Sequence, residues 1–295
     1  MRLRRCLDDA LWGPETGARL LVVHSGLAAL IGLRIVLGSY RELANTPDAL
    51  FDPVAVLGFL SGMPSAWVIA SLQVVGGLAA LAAVLRRHPR AAFAIAWLCY
   101  LVLAGIRGSR GKVLHNDLLL LWTAVPFLLA PIEARWHDRT AKRSTGWPIR
   151  SAMVIAVLIY GLAGYHKLRR SGIDWAIGDN VRYVMLWGPA IGQARWESLA
   201  HWVGEHSWAW RSTGVLILGF ELTFPLTLLW RRLQPLYAAV AVALHVTTYL
   251  FLGLDYWAWA STVLLLFVDW PALVDRLRRN QVPVGTVRGH VAEPR

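Results

Sequence analysis

Apart from His24, which lies near the inner boundary of the first apolar stretch, five ionisable side chains lie within or at the ends of strongly apolar stretches of this sequence, where they could carry acid–base chemistry. They are Arg34, His115, Lys167, Glu221 and His245. Ionisable groups in such surroundings are energetically costly and are candidates for a functional site. Desolvation disfavours the charged form of a lysine, and a lysine tuned in this way can act as a general base. The residue types therefore predict proton abstraction by Lys167, with a salt bridge to Glu221 or Asp174 as the competing interpretation.

Each of these side chains also has a structural interpretation. Arg34 and Lys167 could extend along the apolar surface to reach lipid headgroups. His115 could be a polar residue at a helix end, and His245 could form a hydrogen bond between helices. The five residues nevertheless fall toward the same side of the apolar stretches, which favours a shared pocket over five unrelated roles.

The bulk composition indicates which environment surrounds these residues. Of the 295 residues, 56% are hydrophobic and 16% are charged, and the mean hydropathy is +0.46. Soluble domains carry about 25% charged residues, so this is the composition of an integral membrane protein. The 16 tryptophans agree, because tryptophan is enriched at membrane–water interfaces. Cys6 and Cys99 give neither a disulfide framework nor a metal-ligand spacing, so no metal is expected.

The elements that must position the ionisable residues are apolar stretches of about 17–25 residues, long enough to cross a bilayer as helices. The sequence predicts an all-α, polytopic membrane bundle with about eight transmembrane helices. A cytoplasmic N-terminal segment (1–19) precedes the transmembrane domain (20–273), and a polar cytoplasmic tail (274–295) follows it. The predicted crossings are 20–40, 66–85, 91–106, 115–132, 151–168, 212–230, 236–254 and 256–273.

The distribution of Lys and Arg predicts how these helices are oriented. If both termini are cytoplasmic, the cytoplasmic connections carry about twice as many Lys and Arg residues as the outer ones. The positive-inside rule then explains the net charge of +12, and nucleic acid is not expected as a partner. The lipid bilayer is the expected partner, and a multi-pass location in the cell membrane is expected. This orientation places the five ionisable side chains on the outer side or near the midplane, so a pocket would open outward.

A long outer connection, 169–211, contains six tryptophans and differs from the other connections. Trp196, Leu199, Val203 and Trp210 fall near one helical face. This pattern predicts an amphipathic segment at 179–210 that lies in the outer interface. A lid over the pocket is the alternative interpretation.

Two further features concern the helices that carry Lys167 and Glu221. Gly161 and Gly164 leave one side of the helix without side chains just before Lys167. Either a neighbouring helix or a flat ligand could therefore approach the backbone closely there. Close helix packing is the commoner use of such glycines. Pro225 deprives the carbonyl of Glu221 of its helical donor, which predicts a kink beside this carboxyl group.

Four stretches of the sequence resemble, in order, the motifs of one membrane-protein family, the HTTM (horizontally transferred transmembrane) domain. The most specific is the third, with its Tyr, Ala-Gly, Lys, Trp and Gly pattern. The resemblance extends over nearly all of 20–272. The four stretches are "LRIVLG" (33–38), "LHND" (114–117), "YGLAGYHKLRRSGIDWAIG" (160–178) and "ALHVTTYLFLGLDYWAWASTVLLLFVDWP" (243–271).

This resemblance implies a vitamin K-dependent γ-carboxylase-like enzyme whose active site faces the exoplasm. By matching position, Lys167 is the base that deprotonates reduced vitamin K or another quinone, with O2 and CO2 as co-substrates. His115 is expected to contribute to carboxylation of a glutamate in a secreted peptide or protein substrate, and His245 matches another buried histidine of the site. The expected substrate or cofactor pocket comprises Arg34, Asn116, Tyr160, Gly164, Trp175 and Glu221.

The resemblance also leaves a non-catalytic function open. The carboxylase members continue into a lumenal domain that binds their protein substrate, whereas this sequence ends some 20 residues after its last predicted helix. Short bacterial members instead resemble a membrane protein needed to mature a secreted toxin. A maturation or assembly factor for a secreted peptide toxin is therefore the alternative. A transporter is less favoured because the sequence has no inverted repeat.

Overall fold

The computed structural model of the chain describes residues 8–110, 115–131 and 135–281, and it is mostly helical. Parts of the predicted N-terminal segment (1–7) and C-terminal tail (282–295) lie outside the described residues, as does Cys6. The helices of the described chain are α1 (Gly17–Leu37), α2 (Ala66–Val84), α3 (Pro89–Gly108), α4 (Leu118–Ala124), α5 (Arg143–Ser171), α6 (Asp174–Ile177), α7 (Asn180–Ala190), α8 (Glu197–Glu205), α9 (Ser207–Thr223), α10 (Leu226–Leu229), α11 (Gln234–Leu252), α12 (Trp257–Phe267) and α13 (Trp270–Gln281).

Five helical segments of the described chain are long and apolar enough to cross a membrane: α1, α2, α3, α5 and the segment Arg231–Leu252, which contains α11. A sixth results if α12 and α13, which meet at a bend of 68°, form one span. The chain thus has the architecture of a helical membrane protein, as the sequence predicts.

The remaining predicted crossings are shorter or broken. The stretch predicted at 115–132 contains α4, only 7 residues long, followed by a 3-10 turn at Val125–Leu129 that includes Pro126. The stretch at 212–230 is divided between α9 and α10, because Pro225 lacks the amide that would continue the helix. Conversely, α5 begins at Arg143, well before the predicted start at 151, so it includes polar residues that the apolar pattern excluded.

Helix α1 forms the centre of the bundle and packs against α2, α3, α5 and α12. Thr16 caps its N-terminus by accepting a hydrogen bond from the amide of Arg19 (3.1 Å). Its apolar side chains Val23, Leu27 and Ile31 are fully buried. Helices α2 and α11 lie at the periphery of the bundle, because only 22% of the residues in the apolar part of each are buried. Their outer faces expose apolar side chains, as a surface in contact with lipid requires.

The Trp-rich connection folds into several short helices rather than one: it contains α6, α7 and α8, and α9 begins near its end. Trp196 lies just before α8, and Trp210 lies in α9. The prediction that both lie on one face of a single helix is therefore wrong. The chain breaks at His206, where α8 ends and α9 begins. Together with Phe251 of α11, α7, α8 and α9 form a small second apolar core. Exposed tryptophans lie along the same connection: Trp187, Trp196, Trp202 and Trp208.

Two local features tie distant parts of the chain together. A two-residue antiparallel pair joins β1 (Glu15–Thr16) to β2 (Ala141–Lys142), and this pairing holds the start of α1 against the start of α5. The other is the tight turn between α11 and α12 at Gly253, which has φ +65°. A Cβ at this position would lie 2.3 Å from the carbonyl oxygen of Gln193, so glycine is required by both conformation and space.

Candidate functional site

The structure brings the nine predicted site residues to one end of the bundle. They come from six different parts of the chain: the last turn of α1, the segment before α4, one face of α5, α6, α9 and α11. The residues are Arg34, His115, Asn116, Tyr160, Gly164, Lys167, Trp175, Glu221 and His245.

Lys167 on α5 forms an ion pair with Glu221 on α9. Of the two carboxylates considered from the sequence, Glu221 is therefore the partner. The Lys167 ammonium also lies 4.5 Å from the centre of the Trp175 ring, in a cation–π contact. The Lys167 side chain is 26% exposed and that of Glu221 is 8% exposed, so the pair lies at the rim of the bundle with its carboxylate inward.

Gly164 allows this ion pair to form. A Cβ at position 164 would lie 2.9 Å from the Cβ of Glu221 and 3.0 Å from the amide nitrogen of Leu222. Helix α9 therefore packs directly on the glycine. Of the two uses considered from the sequence, close helix packing is the one observed, and Gly164 positions Glu221 beside Lys167.

Tyr160 lies on the same face of α5 as Gly164 and Lys167, further into the bundle. Its hydroxyl shares a hydrogen bond with Nε2 of His245 (2.7 Å), and its ring stacks on Phe224 at 4.5 Å. Both Tyr160 and His245 are buried. His245 thus forms a hydrogen bond between helices α5 and α11, and it does so next to the Lys167 pair.

Tyr256 and Trp259 connect His245 to His115. The ring of Tyr256 stacks on His245 at 5.4 Å, and its hydroxyl shares a 2.6 Å hydrogen bond with Nε2 of His115. Burial raises the pKa of Tyr256, which lies in the turn between α11 and α12, to about 12, so its hydroxyl keeps its proton near neutral pH. The ring of Trp259 is in edge contact with Tyr160, His245, Tyr256 and His115.

These contacts form one connected group, which we call the Lys167 network. Sequence reasoning did not single out Tyr256 or Trp259, although both lie in the fourth motif. Their aromatic character fitted an interfacial position equally well, and no spacing rule distinguishes the two roles. The Lys167 network comprises Lys167, Glu221, Tyr160, His245, Trp259, Tyr256 and His115.

Arg34 belongs to a second, adjoining group. Its guanidinium donates to Oδ1 of Asp117 through Nε (2.9 Å) and Nη2 (2.7 Å), and to Oδ2 of Asp255 through Nη1 (2.6 Å). Arg34 and Asp117 are buried, whereas the Asp255 side chain is 48% exposed. This is a paired, buried cation rather than one that reaches for headgroups, so the lipid-reaching alternative for Arg34 is wrong.

Three further residues complete what we call the Arg34 cluster. Tyr100 donates its hydroxyl proton to Asp117 (2.7 Å), and Arg107 approaches the other oxygen of Asp117 (3.4 Å). Asn116 donates to the backbone carbonyl of Asp255 (2.9 Å), which links the cluster to the turn that carries Tyr256. Asp117 and Asp255 were not predicted as site residues, although both lie inside quoted motifs.

Two buried polar atoms in the Lys167 network have no hydrogen-bond partner among the described residues. They are the indole Nε1 of Trp259, a donor, and Oε2 of Glu221, an acceptor. Buried polar groups are nearly always paired, so each such atom calls for an explanation. An acceptor beside Trp259 Nε1 and a donor beside Glu221 Oε2 would satisfy them.

A groove of about 570 Å³ lies outside this network. It lies between the C-terminal end of α1 with the segment that follows it and the middle of α2, and it is lined by Val36, Gly38, Arg41, Gln73 and Leu78, among others. Within residues 8–110, 115–131 and 135–281, no group of three or more His, Cys, Asp or Glu side chains is placed to hold a metal ion.

The other end of α1 contains a buried charge group that sequence reasoning missed. Glu15 forms ion pairs with Arg19 (2.7 Å), Arg150 and Arg231 (3.2 Å), and we call these four residues the Glu15 cluster. The predicted crossings began at 20 and 151, immediately after Arg19 and Arg150, so both arginines were assigned to connections. The i, i+4 spacing of Glu15 and Arg19 was the available signal.

No family model matches the chain, and the comparisons with curated proteins and with solved structures gave no match. The resemblance to the HTTM domain therefore depends on the four quoted motifs, and function is argued from the geometry of the site.

Proposed function

We propose that this chain is a membrane enzyme of the HTTM type that performs acid–base chemistry on a quinol at the exoplasmic face. The observation that supports this most strongly is the Lys167 network itself. An ion-paired lysine, two histidines and two tyrosines are connected side by side, and two buried polar atoms near them have no hydrogen-bond partner in the described part of the chain. Clusters of this kind are typical of sites that move protons.

In the proposed mechanism, Lys167 is the general base and Glu221 controls its charge. The proton shared in the ion pair passes to Glu221, and the neutral amine of Lys167 then accepts the proton of an aromatic hydroxyl. The indole N–H of Trp259 donates to an oxygen of the ligand, and Tyr160 and Tyr256 provide aromatic walls. If a reduced quinone such as reduced vitamin K is bound, its oxidation by O2 would supply the strong base that removes a proton from a glutamate, and CO2 would then add to that carbon. His115, at the exposed end of the network, then lies where a secreted peptide substrate would approach.

The proposal includes the membrane topology. The chain crosses the cell membrane about eight times with both termini cytoplasmic, and it is surrounded by the lipid bilayer. The Trp-rich segment 179–210 lies in the outer interface, and the Lys167 network faces the exoplasm. The bias of Lys and Arg toward the cytoplasmic connections supports this orientation.

The ion pair itself supports a second candidate function. An ammonium held by a buried carboxylate is a fixed cation, which suits the binding of a peptide rather than proton abstraction. The chain would then be a maturation or assembly factor for a secreted peptide. In this case a cation at position 167 is needed, but a base is not.

Substitutions at Lys167 distinguish the two functions. The purified protein is supplied with reduced vitamin K under air, and its oxidation is followed by chromatography. We expect Lys167→Ala and Lys167→Arg each to lower the rate by about 100-fold or more, since general bases contribute about 10²–10⁴. Lys142→Ala, which removes an exposed lysine of β2 just before the start of α5 and far from Lys167, should leave the rate unchanged.

Two outcomes would contradict the enzymatic proposal. One is an equal rate in wild type and Lys167→Ala. The other is a fully active Lys167→Arg variant, which would favour the binding function, because arginine keeps the charge but cannot act as a base at this pH. Mass spectrometry of small molecules that co-purify with the wild type and with Trp259→Phe shows independently whether a quinone is held.

Single cysteines test the orientation. In a background lacking Cys6 and Cys99, Ser198→Cys in α8 and Ser144→Cys in α5 place exposed thiols at opposite ends of the bundle. A membrane-impermeant maleimide added to intact cells should label position 198 and not position 144. The reverse pattern would overturn the proposed topology.

A further inference from the structure

The Glu15 cluster contains more positive than negative charge. One carboxylate is shared by the guanidinium groups of Arg19, Arg150 and Arg231, which leaves an excess of two positive charges. In the part of the chain that the structure describes, no other carboxylate is paired with these three arginines. The nearby Asp138 is paired with Lys142 (3.9 Å), so it does not reduce the excess.

Two of the three arginines are almost completely removed from water. Arg19 is 2% exposed and Arg150 is 0% exposed. The Nε atoms of both have no hydrogen-bond partner among the described residues, although Arg19 also donates through Nη2 to the carbonyl oxygen of Leu266 (2.8 Å). Removing a charge from water costs several kcal/mol per ion unless it is paired. The cluster is therefore incomplete in its charges and in its hydrogen bonds.

Arg231 connects this buried excess of charge to the surface. Its side chain is 52% exposed, in contrast to Arg19 and Arg150. Its guanidinium lies beside the backbone of Gly13, and a Cβ at that glycine would be 3.2 Å from Nη2. An anion can thus reach the cluster through Arg231 without entering the bundle.

The surroundings of Arg231 indicate its depth in the membrane. Trp230 precedes it directly and is 56% exposed, and Trp12, next to Gly13, is 51% exposed. Exposed tryptophans of a membrane protein concentrate at the level of the lipid headgroups. At that level the most abundant anionic group is the phosphate of a phospholipid. Planar guanidinium groups bind phosphate oxygens in a bidentate manner.

We propose that the Glu15 cluster is a binding site for the phosphate of an anionic phospholipid, held by Arg231 and stabilised by the excess charge of Arg19 and Arg150. The lipid phosphate offsets the excess positive charge of the cluster, in which Arg19 and Arg150 are buried and Arg231 is half-exposed. The site is separate from the Lys167 network, and the proposal does not depend on the function proposed for that network.

A purely structural role for the cluster makes a different prediction. If Arg231 only strengthened the fold through Glu15, its removal would destabilise the protein equally in any lipid. In the proposed site, Arg231→Gln removes an uncompensated charge, so in neutral detergent without added lipid its melting temperature equals or exceeds that of the wild type. Glu15 keeps Arg19 and Arg150 as partners in this variant.

The experiment compares wild type, Arg231→Gln and Arg232→Gln in neutral detergent. Arg232 follows Arg231 in the sequence, is exposed and is not part of the Glu15 cluster. Arg232→Gln therefore changes the net charge of the protein by the same amount as Arg231→Gln. Each protein is titrated with phosphatidylglycerol, with phosphatidylcholine and with inorganic phosphate. Thermal unfolding and native mass spectrometry report stabilisation and bound lipid.

We expect phosphatidylglycerol to raise the melting temperature of the wild type and of Arg232→Gln, and phosphatidylcholine to have a much smaller effect. Arg231→Gln should bind phosphatidylglycerol about tenfold more weakly, which is about 1.4 kcal/mol, because the lipid phosphate loses a charge-assisted hydrogen bond. If inorganic phosphate stabilises the protein through Arg231 and phosphatidylglycerol does not, the cluster is a phosphate site, but its ligand is a soluble anion and not a lipid. Equal lipid binding by Arg231→Gln and Arg232→Gln, or equal stabilisation by both lipids, would overturn the proposal.

Discussion

The two ends of α1 bury charge in opposite ways. At the C-terminal end, Asp117 and Asp255 balance Arg34 and Arg107, so the Arg34 cluster has no net charge. At the N-terminal end, Glu15 is the one carboxylate of the described residues that is paired with Arg19, Arg150 and Arg231, so positive charge is in excess. A buried group of charges that is balanced needs nothing from outside, whereas an unbalanced one remains costly until a counter-ion binds. The Arg34 cluster can therefore serve a structural role without a bound ion, whereas the excess charge of the Glu15 cluster indicates that it binds an anion.

The largest effect is expected from removing the shared carboxylate. Glu15→Gln leaves three guanidinium groups close together without an anion, and breaking a buried pair costs about 3–5 kcal/mol. We expect the free energy of unfolding to fall by about 5 kcal/mol, or the protein not to accumulate. Thermal unfolding in detergent measures this, with the exposed Glu197→Gln as control.

A second substitution shows whether charge causes the loss. Adding Arg231→Gln to Glu15→Gln removes one of the three mutually repelling cations, and it should restore part of the stability. If the double variant is less stable than Glu15→Gln, excess positive charge does not cause the loss of stability, and charge balance does not distinguish the two ends of α1.

An intermediate effect is expected at the balanced end. Asp117→Asn leaves Arg34 with Asp255 as its remaining anion, and we expect a loss of about 3 kcal/mol because Asp117 is buried. Asp255→Asn should cost about 1 kcal/mol or less, since its side chain is 48% exposed and solvent screens the pair. Equal losses in chemical unfolding would contradict this ranking, which follows from burial alone.

The smallest effect concerns Tyr256, next to the balanced cluster. Burial raises its pKa from 10.0 to about 12, so its contribution to stability is complete below pH 10 and is lost as the pH rises toward 12. Tyr256→Phe should cost about 1 kcal/mol at neutral pH through the lost hydrogen bond. The variant should also lose stability less steeply than the wild type between pH 10 and 12. Unfolding followed across this range, together with tyrosinate absorbance, measures both quantities, and identical slopes would show that Tyr256 does not titrate in this way.

The sequence identified the ionisable residues of the apolar segments better than it identified the residues that contact them. Lys167 and Glu221 could be selected because charged groups are rare in apolar segments, and this rarity is visible without a structure. The pairing of Arg34 with Asp117 and Asp255 could not be predicted, because these residues are far apart in the chain and only the packing of α1, α4 and α12 decides which carboxylates meet. Arg150 was missed for a different reason. The start of α5 is fixed by the β1–β2 pair and not by hydrophobicity, so an apolar window places it too late.

The same limit applies to the fold. The helical membrane architecture followed from composition and from apolar length. The lengths of α4 and α9 did not, because Pro126 and Pro225 end helices within stretches that remain apolar. Hydrophobicity indicates which segments can be buried in the membrane. The length of each helix depends also on where a proline removes a backbone amide donor.

The hydrogen bond from Arg19 to the carbonyl of Leu266 joins residues that are 247 positions apart. The ribosome therefore delivers α1 to the bilayer long before the acceptor of Arg19 has been translated, and before Arg150 and Arg231 can meet Glu15. Insertion of the first helix must precede its final charge pairing, so the bundle is completed only when its last apolar segment arrives. A chain truncated before Leu266 would leave α1 without the acceptor for this donor of Arg19.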